Sequence, residues 1–185
     1  MGRRARPFRR SLSLPPTQIY KVNGTQCGCG QKGCYEKYAS ANGLVLVAKQ
    51  YLAEHPNEPS SLRDVPELTA KAVMDAAKAG DAAATACVDI AAEALGVCCV
   101  NLCRIVDPEL IVFSGGLATA GDFFLKKIDH YFHLYHWTIQ EPTCVLQISE
   151  GSNLVGIVGA AAVARMDYLK RCVYCNELVR NGSNA

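Results

Sequence analysis

Apolar residues recur at helical spacing along most of this chain. After Ser40, a residue suited to cap a helix, Leu44, Val47, Ala48 and Tyr51 form a stripe that predicts a helix over 41–54, stopped by Pro56. Residues 55–65 are polar and predict a loop. Pro66 suits the first turn of a second helix and Gly80 its end. Asp81 then suits the cap of a long helix in which Ala84, Cys87, Val88, Ala91, Leu95, Cys98, Cys99 and Leu102 recur every three or four positions, and Asp107-Pro108 ends it. Its face is made of small residues, which favours close approach of a neighbour. Glu109–Ser114 is a short apolar run that predicts a buried strand leading into a tight turn at Gly115-Gly116, and Cys144–Ser149 predicts a second strand, with helices over 119–136 and 154–165. The order is an α/β pattern, helix-rich, with a thin two-stranded sheet.

Outside these elements the pattern changes. Residues 1–20 lack sustained periodicity and carry three prolines, so they predict a disordered or alternative leader. Residues 21–167 form the domain, opening on an irregular Cys- and Gly-rich stretch over 21–36. Residues 168–185 predict a polar tail holding Cys172 and Cys175, whose spacing resembles a redox pair but whose polar setting predicts surface thiols.

Composition narrows the class. Half of the 185 residues are apolar and 19% are charged, which fits a globular domain. A net charge of +2 gives no argument for nucleic acid, and no apolar run reaches the length of a membrane span. Ten cysteines could form disulfides in a secreted chain, but RPFRRSLSLPP is not a secretory signal, and Cys87, Cys98, Cys99 and Cys103 sit in a helical pattern as small hydrophobes. A reducing, cytoplasmic setting is expected. The Arg-rich start, free of acidic residues before Glu36, resembles a mitochondrial transit peptide and gives the alternative.

The chemistry concentrates at Cys27, Cys29 and Cys34, interleaved with Gly28, Gly30 and Gly33. Thiolates bind zinc tetrahedrally, and ligands this close in sequence need the sharp turns that glycine permits. A disulfide between two of the three is the alternative. The whole string, CGCGQKGCYE followed by Tyr38-Ala39-Ser40, resembles the ROK family of repressors and sugar kinases. The resemblance implies the carboxy-terminal half of an actin-like, ribonuclease-H-like ATPase fold with a structural zinc knuckle. It assigns the metal to Cys27, Cys29 and Cys34 and a sugar-hydroxyl contact to Glu36. The family's zinc histidine precedes the cysteines, whereas His55, His130, His133 and His136 all follow them. Zinc binding weakened by a missing ligand is therefore expected.

A second resemblance lies in IVFSGGLA, Ile111–Ala118, which is similar to the family's strand ending in Gly-Gly-Leu on the nucleotide side. Glycines after a buried strand let backbone approach a ligand, and a following helix N-terminus favours anions. This implies nucleotide contacts at Gly115, Gly116 and Leu117. Val155–Ala161 is similar to the family's closing helix. The implied activity is ATP- and magnesium-dependent phosphorylation of a hexose or N-acetylhexosamine at the 6-hydroxyl, by a homodimer. The family's Asp-x-Gly-x-Thr phosphate loop and Asn-Asp general base have no counterpart among these residues, so no catalytic residue is assigned and a truncated, catalytically incomplete form is expected. The alternative is a non-catalytic sugar-binding or dimerisation module that modulates a full-length kinase. His130, His133 and His136 invite a metal, but no carboxylate is expected at a ligand spacing with them, and mixed aromatic packing is the reading. Asp107 predicts a turn, and Asp122 and Asp129 helix-surface charges.

Overall fold

The computed structural model describes residues 18–139, 142–149 and 155–182, and on the last helix the side chains of 156–169. The expected leader falls almost wholly outside them.

A single helical turn, α1 (Glu36–Ala39), leads directly into α2 (Ala41–Glu54). Ser40 joins them: its hydroxyl accepts from the Gly43 N–H at 2.9 Å and donates to the Glu36 carbonyl at 2.6 Å. The polar loop that follows contains a 3-10 turn at Ser61–Asp64, which buries Leu62. Helix α3 spans Ala70–Lys78, starting later than the proline suggests. The Thr69 hydroxyl accepts from the Ala72 N–H and supplies the cap, while Pro66 lies in the preceding bend. Gly80, at φ +91°, closes α3.

Helix α4 (Ala82–Val106) is the centre of the molecule. Asp81 caps it through the Ala84 N–H at 2.9 Å and also takes hydrogen bonds from Ser60 and Ser61, fastening the loop to the helix start. Asp107, left-handed at φ +46°, ends it. By length and composition α4 could cross a membrane, but it is wrapped by α1, α2, α3 and the later helix α5, and Ala83, Ala84, Cys87, Val88, Ala91, Ala92 and Ala94 are inaccessible to solvent. The cysteines pack as expected: burial pushes the thiol of Cys87 up to about 12 and that of Cys98 to about 11.

Strand β1 (Leu110–Phe113) pairs in parallel with β2 (Val145–Ile148), Leu110 opposite Val145 and Phe113 opposite Ile148. Between them run a 3-10 turn (Gly116–Ala120) and α5 (Asp122–Tyr135), so β1, α5 and β2 make one crossover unit. The expected helix start at 119 moves to 122 because Gly121, at φ +66°, separates the 3-10 turn from the helix. Helix α5 lies against α4 at Gly96, where an added Cβ would stand 2.6 Å from the Tyr131 Cβ and 2.9 Å from the Phe132 nitrogen. Phe124, Ile128 and Phe132 fill the seam.

One face of the sheet packs inward through Ile111, Phe113 and Leu146; the other leaves Leu110, Val112 and Val145 about half exposed. The last helix, α6, spans Val155–Gly182 and runs well past Arg165, where the sequence reading ended it. Its described side chains, Ile157, Val158, Val163, Met166, Tyr168 and Leu169 among them, are exposed. Cys172 and Cys175 lie on this helix, with side chains outside the described set.

Candidate sugar and nucleotide site

The Cys-rich stretch folds as a tight, hydrogen-bonded knuckle. The Gly30 N–H donates to the Cys27 carbonyl at 3.1 Å and the Cys27 N–H to the Gln31 carbonyl at 2.8 Å, which doubles the chain back between the first two cysteines and the third. Isolated antiparallel bridges at Gln26–Lys32 and Ile19–Cys34 hold the base. Gly33 is the position where glycine is indispensable. Its φ is +75°, and an added Cβ would fall 1.7 Å from the Lys21 carbonyl oxygen.

These turns place the Cys27, Cys29 and Cys34 sulfurs within 4.8 Å of one another. All three are free thiols; Cys29 and Cys34 are 3.5 Å apart, far beyond the roughly 2.05 Å of a disulfide. Cys34 is fully buried and Cys27 nearly so, while Cys29 faces solvent. The Gln31 backbone and the Cys34 thiol hydrogen-bond Cys29 and hold its thiol below the ordinary range. Burial pushes Cys34 up to about 12. Metal binding would require deprotonated sulfurs, which the environment of Cys29 favours and the burial of Cys34 opposes.

Glu36 opens α1 beside this trio. The Cys27 thiol donates to its Oε2 at 3.3 Å, and Lys37 Nζ stands 4.0 Å from its Oε1. The carboxylate is about one-third exposed. Tyr20 stacks on Tyr35 at 5.4 Å and meets Tyr38 edge-on at 5.3 Å, an aromatic footing between the knuckle and α4 that the sequence pattern does not announce. The Tyr38 hydroxyl accepts from the Thr25 N–H at 3.0 Å, and Gly43 lets α2 approach α1, since a Cβ there would stand 2.5 Å from the Glu36 carbonyl.

The glycine turn begins where β1 ends. Gly115 has φ +98°, a conformation reserved for glycine, and both Gly115 and Gly116 are exposed. Leu117 turns inward, 8% exposed, and anchors the turn in the core, so only its backbone can face a ligand. The element directly after the glycines is the 3-10 turn, in which the Thr119 hydroxyl donates to the Gly116 carbonyl at 2.6 Å. Beside it lies a cavity of about 240 Å³, whose other wall is α3 with Lys71, Met74 and Lys78. Lys71 pairs with Asp75 on α3. Sequence reasoning missed this wall, because nothing in α3's pattern signals which distant turn it will face.

The glycine turn packs on the start of α2: a Cβ on Gly116 would lie 3.6 Å from that of Ala41, the first residue of the helix that follows the turn carrying Glu36. The histidines stay apart from it. His133 Nδ1 lies 3.4 Å from Asp129 Oδ1 one helical turn away, so a carboxylate does stand beside it, against expectation. His130 and Phe132 make edge-on aromatic contacts as expected. Among the described residues, only Cys27, Cys29 and Cys34 gather as a metal-ligating group.

Comparison with known proteins identifies the family of this chain. The ROK family profile matches residues 16–167. The chain is 37% identical over 144 residues to a glucokinase of Halalkalibacterium halodurans, covering 76% of this chain and 43% of that protein. It is 37% identical over 93 residues to an N-acetyl-D-glucosamine kinase of Escherichia fergusonii, covering 50% and 27%. A ROK family glucokinase from Streptomyces griseus, solved in complex with glucose and AMPPNP, superposes with a TM-score of 0.72 at 28% identity, covering 82% of this chain and 50% of that one. The chain spans about half the length, or less, of the relatives it matches. With its helix-rich α/β core in the family's actin-like arrangement, the chain belongs to the ROK family.

Proposed function

We propose that this chain forms the sugar-facing wall and part of the nucleotide-facing wall of an ATP-dependent kinase that phosphorylates a hexose or N-acetylhexosamine at its 6-hydroxyl. The observation that supports this reading is the packing of the Gly115-Gly116 turn on Ala41, at the start of the helix that directly follows the turn carrying Glu36. A carboxylate accepts hydrogen bonds from neighbouring sugar hydroxyls with good directionality. The exposed backbone of Gly115 and Gly116 can approach a nucleotide, with Leu117 fixing the turn from below. Glucose and AMPPNP in the Streptomyces griseus relative support both ligand classes. Magnesium belongs to the transfer step as the neutraliser of phosphate charge.

Zinc fits the knuckle. Tetrahedral coordination at about 2.3 Å puts sulfurs roughly 3.8 Å apart, and the three thiols already lie within 4.8 Å. Cys27, Cys29 and Cys34 would hold the ion, with water in the fourth position. The ion would cross-link the knuckle and so fix the position of Glu36. A three-thiolate site binds more weakly than a closed four-ligand one.

The chain by itself is not expected to turn over. Asp75, which lines the cavity beside the glycine turn, is engaged with Lys71, and Asp122 lies on the exposed first turn of α5; neither is assigned as a general base. A homodimer and a cytoplasmic setting, with the mitochondrion as the alternative, complete the reading. A coupled ADP-release assay with hexoses and amino sugars tests the catalytic part. No turnover above background is expected for this chain, and clear turnover would require a base elsewhere in it.

A further inference from the structure

A second, larger cavity, of about 390 Å³, opens at the far end of the β1–β2 pair from the glycine turn. Cys103, Arg104 and Asp107, from the end of α4, form one side, and His136, Trp137 and Cys144 the other. Two of these groups are thiols. Cys103 and Cys144 are half-buried and line the same cavity, near enough for each to perturb the other's ionisation. The Cys144 thiol donates weakly to the Val145 carbonyl at 3.8 Å, at the start of β2. Arg104, which donates to the Tyr135 carbonyl at 3.2 Å and sits over the Trp137 ring at 5.7 Å, forms a fixed cationic edge to the opening.

We propose that Cys103 and Cys144 are a redox modification site: a low-molecular-weight disulfide such as oxidised glutathione converts them to an intramolecular disulfide that ties the last turn of α4 to the start of β2. The two thiols come from elements far apart in sequence and meet in a cavity open to a small reagent. That distinguishes them from Cys87 and Cys99, which are sealed in the core. Burial raises both thiols: at Cys144 hydrogen bonding partly opposes the rise, whereas at Cys103 the neighbouring Cys144 adds to it and takes the thiol to about 12, so Cys144 is the attacking group.

The step balances without further reagents. The Cys144 thiolate attacks one sulfur of glutathione disulfide, forming a mixed disulfide and releasing one glutathione thiolate, which takes up the proton that Cys144 gave up. The Cys103 sulfur then attacks the Cys144 sulfur, loses its own proton, and expels the second glutathione. Two protein thiols are oxidised and one glutathione disulfide is reduced to two thiols.

The bridge would clamp the α4–β1–β2 junction, from which β1 runs to Gly115. Closing a loop of this size restricts the unfolded chain, so oxidation is expected to raise Tm by roughly 5–10 °C.

The test uses the full chain, equilibrated with oxidised glutathione, quenched by alkylation and mapped with trypsin by mass spectrometry. The expected result is a cross-link between the peptide ending at Arg104 and the peptide carrying Cys144, together with the rise in Tm. The first peptide also holds Cys87, Cys98 and Cys99, so the Cys103→Ser variant decides the assignment. Loss of the cross-link in that variant supports the proposal. Its persistence, its absence from the unsubstituted chain while other pairs form, or an unchanged Tm on oxidation would overturn it.

Discussion

Asp81 shows how one side chain can organise two segments. Burial alone would raise its carboxyl, but the Ala84 N–H and the hydroxyl and backbone donors of Ser60 and Ser61 outweigh that and hold it below the ordinary carboxylate range. A carboxyl depressed in the folded state stabilises the fold above its unfolded value, near 3.9, and that contribution is lost as pH falls through the lower, folded value. Replacing it, Asp81→Ala, should cost about 1–2 kcal/mol at neutral pH. The difference from the unsubstituted chain should shrink as the pH falls from about 5 to 2. Urea unfolding at a series of pH values measures both; a gap independent of pH would remove the carboxylate from the explanation. This residue was legible in advance, because an acidic side chain just before a long small-residue periodicity can do little else. Glu36 was legible only through its motif, since a lone glutamate at the start of one helical turn carries no signal.

At the level of elements, close approach rests on small residues. Gly96 lets α5 lie on α4, with Tyr131 and Phe132 where a side chain would otherwise be. Alanine is the better helix former by about 1 kcal/mol, yet Gly96→Ala should destabilise the protein by about 1–3 kcal/mol because the added methyl meets backbone as well as side chain. Thermal unfolding decides between propensity and packing; a rise in Tm would mean the helices part at little cost.

The small-residue face of α4 was readable from sequence, as were both strands and the order of helices. The start of α3 was not, because Pro66 and Thr69 both suit a helix start and the hydroxyl cap prevails. The extent of α6 was missed for a different reason: a polar stretch beyond Arg165 offers no buried stripe to read, and its described side chains are indeed exposed. Nor could sequence place α3 opposite the glycine turn, a juxtaposition created only by α4 packing against both sides of the molecule.

Among the described residues, the sheet face at Leu110, Val112 and Val145 and the apolar side chains of the helix over 156–169 are exposed. Apolar surface of this kind favours association. Size exclusion with light scattering should find the chain dimeric or larger at micromolar concentration, and the Val112→Lys substitution, on the open face, should shift it towards monomer. A monomer at all concentrations would remove the homodimer from the proposal.

The functional reading stands first on the proposed sugar contact at Glu36, beside the knuckle. Saturation-transfer NMR tests it most directly, because it detects weak binding without requiring turnover. With zinc-loaded protein and a panel of hexoses and N-acetylhexosamines, at least one sugar should show transfer, and Glu36→Gln should reduce it at least several-fold while leaving the fold intact. Absence of transfer to every sugar, or equal transfer in the variant, would contradict the account.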